Sequence, residues 1–371
     1  MRLPAYEDLS KEQDAVLTLD LDGTYLVSGA PGTGKTVVSL YRASRIRREG
    51  HQVRMIMYSK LLSTYAAVTD GNTASIANDI CTYHSWFSRL YWKNYASAVP
   101  HLPDSRFDYD WMTILTHMGT KPPPALNEYV LVDEGQDLPQ MLYLISRTFL
   151  TPNLTIFADE NQRITKDRCL LSDITSAAQI PPDRQFTLKR NYRNTLEIHN
   201  LACWFHRGSP SGLAAAPDRR GNTPVMLSAR SLTEQIEYIR NYERVHASRS
   251  IGVLVSRRSE LHTIREALIK GGTINPVQAY QRGKWMPEFN QPGITLLCYP
   301  SAKGLEFDAV FLPSMEQLDQ TAVQQSDKMM NMYVMVTRAR EELFLMHAGS
   351  SCALMNALPD TLVRKVSLQH D

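Results

Sequence analysis

The chain has 371 residues, of which 43% are hydrophobic and 21% are charged, and its formal net charge is +2. This length suits two globular domains with ample core. The nearly balanced charge does not indicate nucleic-acid binding, although a basic groove could be hidden in the average. The five scattered cysteines argue against a disulfide framework or a zinc site. The sequence shows no signal peptide and no apolar run of membrane-spanning length. Together with the cysteine pattern, this predicts a cytoplasmic protein.

Apolar runs alternate with helical segments along the chain, which indicates parallel sheets covered by helices on both faces. The tandem prolines of Ile180–Asp183 cannot continue a helix or a strand, so we place a domain boundary there. The sequence thus predicts an α/β fold with two doubly wound domains, residues 1–182 and 183–371. The predicted strands are Tyr25–Ser28, Val53–Tyr58, Tyr129–Asp133, Leu154–Ala158, Thr223–Leu227, Ile251–Val255, Ile294–Cys298, Ala309–Pro313 and Leu343–Met346.

A glycine-rich segment follows the first predicted strand and precedes a predicted helix at Val37–Arg48. Its pattern, GxxxxGK[ST], is that of a phosphate-binding loop, in which backbone N–H groups and the helix N-terminus hold phosphate oxygens. Lys35 would reach the β- and γ-phosphates, and the Thr36 hydroxyl would bind Mg²⁺. The segment therefore predicts binding of a nucleoside triphosphate in a cradle formed by Gly29, Ala30, Pro31, Gly32, Thr33, Gly34, Lys35 and Thr36.

Two acidic residues, Asp133 and Glu134, come at the end of an apolar strand. In open parallel sheets that end is where ligands bind. Asp133 can hold Mg²⁺, directly or through water, and Glu134 can accept a proton from an attacking water. The alternative is that the acids merely cap a helix at Leu138–Phe149, but the upstream phosphate-binding loop favours the functional interpretation.

With this acidic pair after the phosphate-binding loop, the chain resembles the UvrD/Rep/PcrA branch of the superfamily 1 helicases. The similarity rests on a series of motifs that occur in the same order over nearly the whole chain, in a compact form without large accessory insertions. It implies two RecA-like domains with an ATP cleft between them. Besides the phosphate-binding loop, the motifs are Leu9–Gln13 (Q motif), Thr82–Ser85 (TFHS), Asp133–Asp137 (DExQD), Ala158–Gln162 (GDxxQ), Leu188–Arg193 (NYR), Ser301–Asp308 (SKGLEFD) and Tyr333–Arg340 (YVALTRAR).

The resemblance also implies roles for individual residues of the ATP site. Gln13 would read the adenine edge, Tyr192 would stack on the adenine, and Glu306 would lie near the ribose or the phosphates. Phosphoryl transfer to water requires positioning and cancellation of the charge that develops on the γ-phosphate. The implied catalytic residues are Lys35, Glu134, the γ-phosphate sensor Gln162, and two arginines reaching across the cleft, Arg193 and Arg338.

The sequence offers fewer residues for contact with nucleic acid than the family does. Arg163–Arg168 follows the GDxxQ motif without the aromatic residue that stacks on a base in relatives. The accessory insertions are reduced to Trp86–Asn127 and Gly271–Gly293, and Trp86 itself could belong either to the core or to the strand-binding surface. The expected strand contacts are Tyr58, Lys60, His84, Arg163 and Lys303.

The expected function is that of an ATP-dependent motor on single-stranded nucleic acid, DNA rather than RNA, with 3′-to-5′ polarity implied by the resemblance. An alternative is a nucleotide-gated, DNA-sensing ATPase subunit that regulates a partner nuclease, as in anti-phage defence systems such as Gabija. The intact Lys35, Glu134 and Arg338 favour hydrolysis over mere binding, but they are consistent with either role.

Overall fold

The computed structural model describes residues 4–58, 61, 63–64, 74–105, 107–159, 161, 169–208, 212–282, 284–289, 291–320 and 325–368. The chain divides into two compact units. The first unit comprises the residues before 30 together with 34–189, and the second comprises 30–33 together with the residues from 190 onward. No helix within the described ranges is both long enough and apolar enough to cross a membrane.

The first unit contains a parallel sheet in the order β3-β2-β4-β5-β1-β6. Its middle strands are buried along almost their whole length, as expected for a sheet covered on both faces. The strands are β1 Thr24–Gly29, β2 Gln52–Met57, β3 Ile80–Thr82, β4 Glu128–Val132, β5 Leu154–Ala158 and β6 Gln185–Leu188. The helices are α1 Lys11–Leu17, α2 Lys35–Arg48, α3 Tyr83–Tyr95, α4 Trp111–Thr120, α5 Gln140–Ile145 and α6 Leu171–Ala177.

The second unit contains a parallel sheet in the order β13-β7-β12-β11-β8-β10-β9. Its apolar core lies between these strands and the helices that connect them. The strands are β7 Val225–Ala229, β8 Ser250–Val255, β9 Val277–Ala279, β10 Gly293–Cys298, β11 Phe307–Leu312, β12 Ala339–Ala348 and β13 Arg364–Ser367. The helices are α7 Leu196–Phe205, α8 Leu232–Val245, α9 Arg258–Gly271, α10 Gln325–Val336 and α11 Ala353–Asn356.

These two sheets confirm the predicted α/β class with doubly wound parallel sheets. Each strand predicted from an apolar run is present, with its ends within about two residues of the expected positions except in β12, which begins at Ala339 and not at Leu343. The strands without a prediction are β3, β6, β9 and β13, and they form the two edges of each sheet. Edge strands have one exposed side, so their sequences lack the continuous apolar run that marks a central strand.

The segment around the predicted hinge belongs to the first sheet. Pro182–Arg184 forms a single 3-10 turn, and β6 follows it directly and pairs in parallel with β1. The first unit accordingly extends to residue 189, beyond the residue 182 at which the sequence places the boundary. The division into independent domains at that point stays a prediction.

The reduced insertion between β3 and β4 is a small helical layer on the first unit. Trp86, on α3, is 5% exposed and packs in the hydrophobic core, so it does not offer a platform for a base. Phe87 packs against Tyr109 and Trp111 with ring centroids 5.6 and 5.3 Å apart. Aromatic packing of this kind stabilises a layer too small to have an extensive core of its own.

Candidate active site

The phosphate-binding loop joins β1 to α2, and its last glycine is required by both conformation and space. Gly34 has φ of +88°, a region that side chains rarely adopt. A Cβ added there would lie 2.3 Å from Nε2 of Gln13. The loop can therefore run this close to α1 only with glycine at position 34.

Lys35, the first residue of α2, is held by groups of the first unit. Its Nζ donates to the carbonyl of Gly29 over 2.7 Å and to Oδ2 of Asp159 over 3.3 Å. The side chain is buried, as is the carboxylate of Asp159, which also accepts from the backbone N–H of Asn161. The ammonium group thus lies beside the loop, where phosphate oxygens could replace these partners.

Asp133 follows β4 and is completely buried. Its Oδ2 accepts a hydrogen bond from Oγ1 of Thr36 over 2.8 Å, whereas its Oδ1 is buried without a partner among the residues that the structure describes. Burial first, and then the charge of Glu134, raise the pKa of Asp133 to about 7. A buried carboxylate oxygen beside a hydroxyl is the kind of oxygen donor that Mg²⁺ prefers, so this pair fits a magnesium site.

Glu134 is held in an unusual backbone conformation by its neighbours. Its φ of +54° lies in the left-handed region, which costs a non-glycine residue on the order of 1–3 kcal/mol. Oε2 of Glu134 accepts from Nε2 of Gln136 over 2.6 Å, and Oε1 of Gln136 accepts from the backbone N–H of Asp159 over 2.9 Å. Gln136 therefore links the acid after β4 to the acid after β5. The sequence offered a signal for this residue, because it is the glutamine of the DExQD motif, but we assigned it no role.

Gln13 lies at the start of α1 and forms a capping box with Ser10. Its Oε1 accepts from the Ser10 backbone N–H over 3.0 Å, and its own N–H donates to Oγ of Ser10 over 3.2 Å. These bonds fix the side chain in a buried position with Nε2 beside Gly34. Contact of this amide with adenine stays a prediction.

A second cluster of charged residues lies within the second unit. Nε of Arg193 donates to Oε2 of Glu306 over 2.8 Å, and Nη1 of Arg340 lies 3.8 Å from Oε1. Burial by itself would raise the pKa of Glu306, but the charges of Arg193 and then Arg340 outweigh it, so the pKa lies below the ordinary value. Two guanidinium groups around one carboxylate leave this cluster with a positive charge.

The amide of Asn194 ties the NYR segment to the YVALTRAR segment. Its Nδ2 donates to the carbonyls of Thr337 and Ala339, and its Oδ1 accepts from Nδ2 of Asn191 over 2.8 Å. Oδ1 of Asn191 in turn accepts from the backbone N–H of Arg193 over 2.9 Å. The motifs gave no role to Asn194, and only its position three residues after Asn191 could have suggested one.

Arg338 is 0% exposed and donates within its own unit. Nε donates to the carbonyl of Val334 over 2.9 Å, Nη1 to the carbonyl of Leu305 over 3.2 Å, and Nη2 to Oγ1 of Thr337 over 3.1 Å. Any contact with a nucleotide would require some of these bonds to be exchanged. Its catalytic role therefore stays a prediction, and the structure adds a packing role that the sequence did not indicate.

The chain is similar in sequence to known proteins. A family model described as an AAA domain matches residues 12–168. A protein of Mycoplasma pneumoniae named "Probable DNA helicase" is 23% identical over 267 residues, which cover 65% of this chain and 47% of that protein. These matches confirm the resemblance that the motifs predict. The chain is similar to helicases of the UvrD/Rep type.

The chain spans about half the length of the curated relative that it matches. Among solved structures, S. cerevisiae Dbp5 bound to RNA and ADP BeF3 aligns with a TM-score of 0.52 and 12% identity, over 98% of this chain and 90% of that one. This likeness supports the fold. The C-terminal domain of a "possible DNA helicase" from Lactobacillus plantarum WCFS1 aligns with a TM-score of 0.37 and 21% identity, over 47% of this chain and 97% of that one.

The other predicted site residues fall into two groups. Lys60, Gln162 and Arg163 lie outside the described residues, so their roles stay predictions. The rings of Tyr58 and Tyr192 are accessible, with 45% and 44% exposure.

Two further predicted strand contacts, His84 and Lys303, lie within the described residues. His84 is partly buried, and its Nε2 lies 3.1 Å from the carbonyl of Phe107, with its ring against Tyr83. Lys303 is partly exposed just after β10. Their contacts with nucleic acid stay predictions.

Proposed function

We propose that the protein hydrolyses ATP and uses the energy to move along single-stranded nucleic acid. The arrangement that carries this proposal lies at the carboxyl ends of three adjacent strands, β1, β5 and β4. There Lys35 bonds to Asp159, Asp159 to Gln136, and Gln136 to Glu134. The ammonium group of Lys35, the proton acceptor Glu134 and the buried metal-binding carboxylate of Asp133 therefore lie at the same edge of the sheet. In open α/β folds, ligands bind at this edge.

Each residue has a distinct part in the proposed reaction. The N–H groups of the loop and Lys35 hold the phosphates, and Thr36 with Asp133 would hold Mg²⁺, which neutralises phosphate charge when bound. Glu134 accepts the proton of the attacking water on its carboxylate, while Gln136 orients that carboxylate. Gln13, Tyr192 and Glu306 remain the proposed base and ribose contacts, on the resemblance alone.

The remaining catalytic and strand contacts are also proposed on the resemblance. They comprise Arg193 and Arg338 as charge-neutralising residues and Gln162 as γ-phosphate sensor, with Tyr58, Lys60, His84, Arg163 and Lys303 on the strand. DNA as the preferred strand and 3′-to-5′ movement have the same basis. The five free cysteines support a reducing cytoplasm as the compartment.

The decisive experiment is an ATPase assay of the purified chain with and without single-stranded DNA, single-stranded RNA and duplex DNA. Stimulation by a single strand, lost in Glu134→Gln, is the expected result. ATP hydrolysis that no nucleic acid stimulates would refute the motor. Hydrolysis that appears only when the chain is co-purified with a nuclease would instead support the regulatory alternative.

A further inference from the structure

Residues 215–221 form a segment that runs beside the NYR segment and the start of α7, within the second unit. The N–H of Asn191 donates to the carbonyl of Ala215 over 3.1 Å, and the N–H of Leu196 donates to the carbonyl of Arg219 over 2.7 Å. The segment lies outside every motif of the sequence. These two bonds nevertheless hold Arg219 beside the residues that the NYR motif contributes to the charged cluster.

The guanidinium group of Arg219 joins two parts of that cluster. Its Nη2 donates to the backbone carbonyls of both Arg193 and Arg340. These are the two arginines whose side chains flank the carboxylate of Glu306. One planar side chain with donors in a fixed fork therefore ties together the backbones that carry both arginines.

The surroundings of Arg219 are unfavourable for a further cation. Burial first, and then the charge of Arg340, lower the pKa of Arg219. Its Nη1 lies 3.9 Å from Oε1 of Glu341, and both side chains are 41% exposed, so this ion pair contributes little. The bonds to the two carbonyls are the main attachments of the guanidinium. Residues placed against local electrostatic preference occur chiefly at functional sites, which favours a role for Arg219 in the cluster.

We propose that Arg219 is a positioning residue for ATP hydrolysis, which holds the backbones of Arg193 and Arg340 together and thereby directs the Arg193 guanidinium toward the phosphate. The inference rests on the proposed function, in which Arg193 neutralises charge on the γ-phosphate. Arg219 acts through its neighbour and does not contact the nucleotide. Such a residue matters because a misplacement of about 1 Å can cost roughly 100-fold in rate.

The test is a double-variant cycle of ATP hydrolysis, measured with radiolabelled ATP so that slow variants are quantified. We expect Arg219→Met to lower kcat about 10-fold while KM changes less than about twofold. The same substitution in an Arg193→Ala background should change kcat less than about twofold, because the group that Arg219 positions is absent. Arg219→Lys keeps the charge and one donor but loses the planar fork, so its kcat should lie between those of the wild type and Arg219→Met.

Arg220→Met is the matched control, because Arg220 is the next residue of the same segment and its guanidinium pairs with Glu197 over 3.6 Å. Its kcat should equal that of the wild type. Thermal unfolding of every variant ensures that kcat is measured on folded protein. A loss in Arg220→Met equal to that in Arg219→Met would trace the effect to the segment as a whole and overturn the inference.

The remaining outcomes separate the positioning role from the proposed function. An equal loss of kcat in both backgrounds would make the effect of Arg219 structural and overturn the inference, as would undiminished hydrolysis in Arg193→Ala. Wild-type kcat in Arg219→Met, beside an inactive Glu134→Gln, would overturn the inference and leave the proposed function intact. Absence of hydrolysis in the wild type would refute both.

Discussion

The hydroxyl of Thr36 donates to one oxygen of the Asp133 carboxylate over 2.8 Å, and the other oxygen of that buried group has no partner within the described residues. The first turn of α2 is thereby joined to the end of β4 through a carboxylate that is incompletely satisfied. An unsatisfied buried oxygen destabilises the fold by itself, and a bound cation would compensate for it. This relationship makes the stability of the protein depend on pH.

We expect Asp133→Asn to be more stable than the wild type at neutral and alkaline pH. The pKa of Asp133 is raised to about 7, so its contribution to stability is present below the ordinary carboxyl pKa and is lost as pH rises through 7. The advantage of the variant should therefore grow between about pH 5 and pH 7, by on the order of 1–3 kcal/mol, and then level off. Denaturant unfolding at several pH values measures it.

Asp110→Asn is a control in which the pKa of the replaced carboxyl is lowered and not raised. Asp110 caps α4, and hydrogen bonds from the side chain and backbone of Thr113 lower its pKa. Its charge therefore contributes stability above the ordinary carboxyl pKa, which is lost as pH falls. The difference between this variant and the wild type should shrink toward acid pH. An Asp133→Asn advantage that is equal at every pH would contradict a raised pKa.

Lys35→Ala should weaken ATP binding and also destabilise the first unit. Removing the ammonium leaves the buried carboxylate of Asp159 without its cation, which costs about 3 kcal/mol or more. The double variant Lys35→Ala with Asp159→Asn should recover much of this stability but none of the ATP affinity. Fluorescent-nucleotide titration together with thermal unfolding separates the two effects. Full ATP affinity in the double variant would refute the phosphate role of Lys35.

Gln136→Ala should slow hydrolysis while ATP still binds. The amide holds Oε2 of Glu134 and accepts from the backbone of Asp159, so its loss removes a contact that orients the proton acceptor. A loss of one positioning contact of this kind typically costs about 10- to 100-fold in kcat. Glu134→Gln should bind ATP equally well and hydrolyse less still. A rise in KM with kcat unchanged would place Gln136 in nucleotide binding instead.

Arg338→Ala should reduce the stability of the second unit as well as hydrolysis. The side chain is completely buried and donates to the carbonyls of Leu305 and Val334, so truncation leaves a cavity and unsatisfied acceptors worth about 2–4 kcal/mol. Nucleotide binding should persist at temperatures where the variant is folded. Arg220→Ala, at an exposed arginine of the same unit, is the matched control and should be near neutral. Wild-type stability in Arg338→Ala would contradict the packing role.

The central strands and the phosphate-binding loop were predictable because their signals are local. A buried parallel strand needs a continuous apolar run, and a phosphate cradle needs glycine where φ is positive, as at Gly34. The edge strands β9 and β13 lack such a signal. β9 has only three residues, which pair with the next strand along the chain, and β13 is defined by pairing with β7, which is distant in sequence. Such pairing leaves no pattern in the sequence of an exposed strand.

The amino-acid sequence by itself determined the fold class, the order of the motifs and the residue types that phosphate chemistry needs. Only the tertiary structure decided how those residues are partnered: that Lys35 meets Asp159, that Gln136 joins Glu134 to the next strand, and that Arg338 is buried. The physical reason is distance along the chain. Hydrogen-bond geometry and burial arise from groups far apart in sequence, whereas a motif records only its own neighbours.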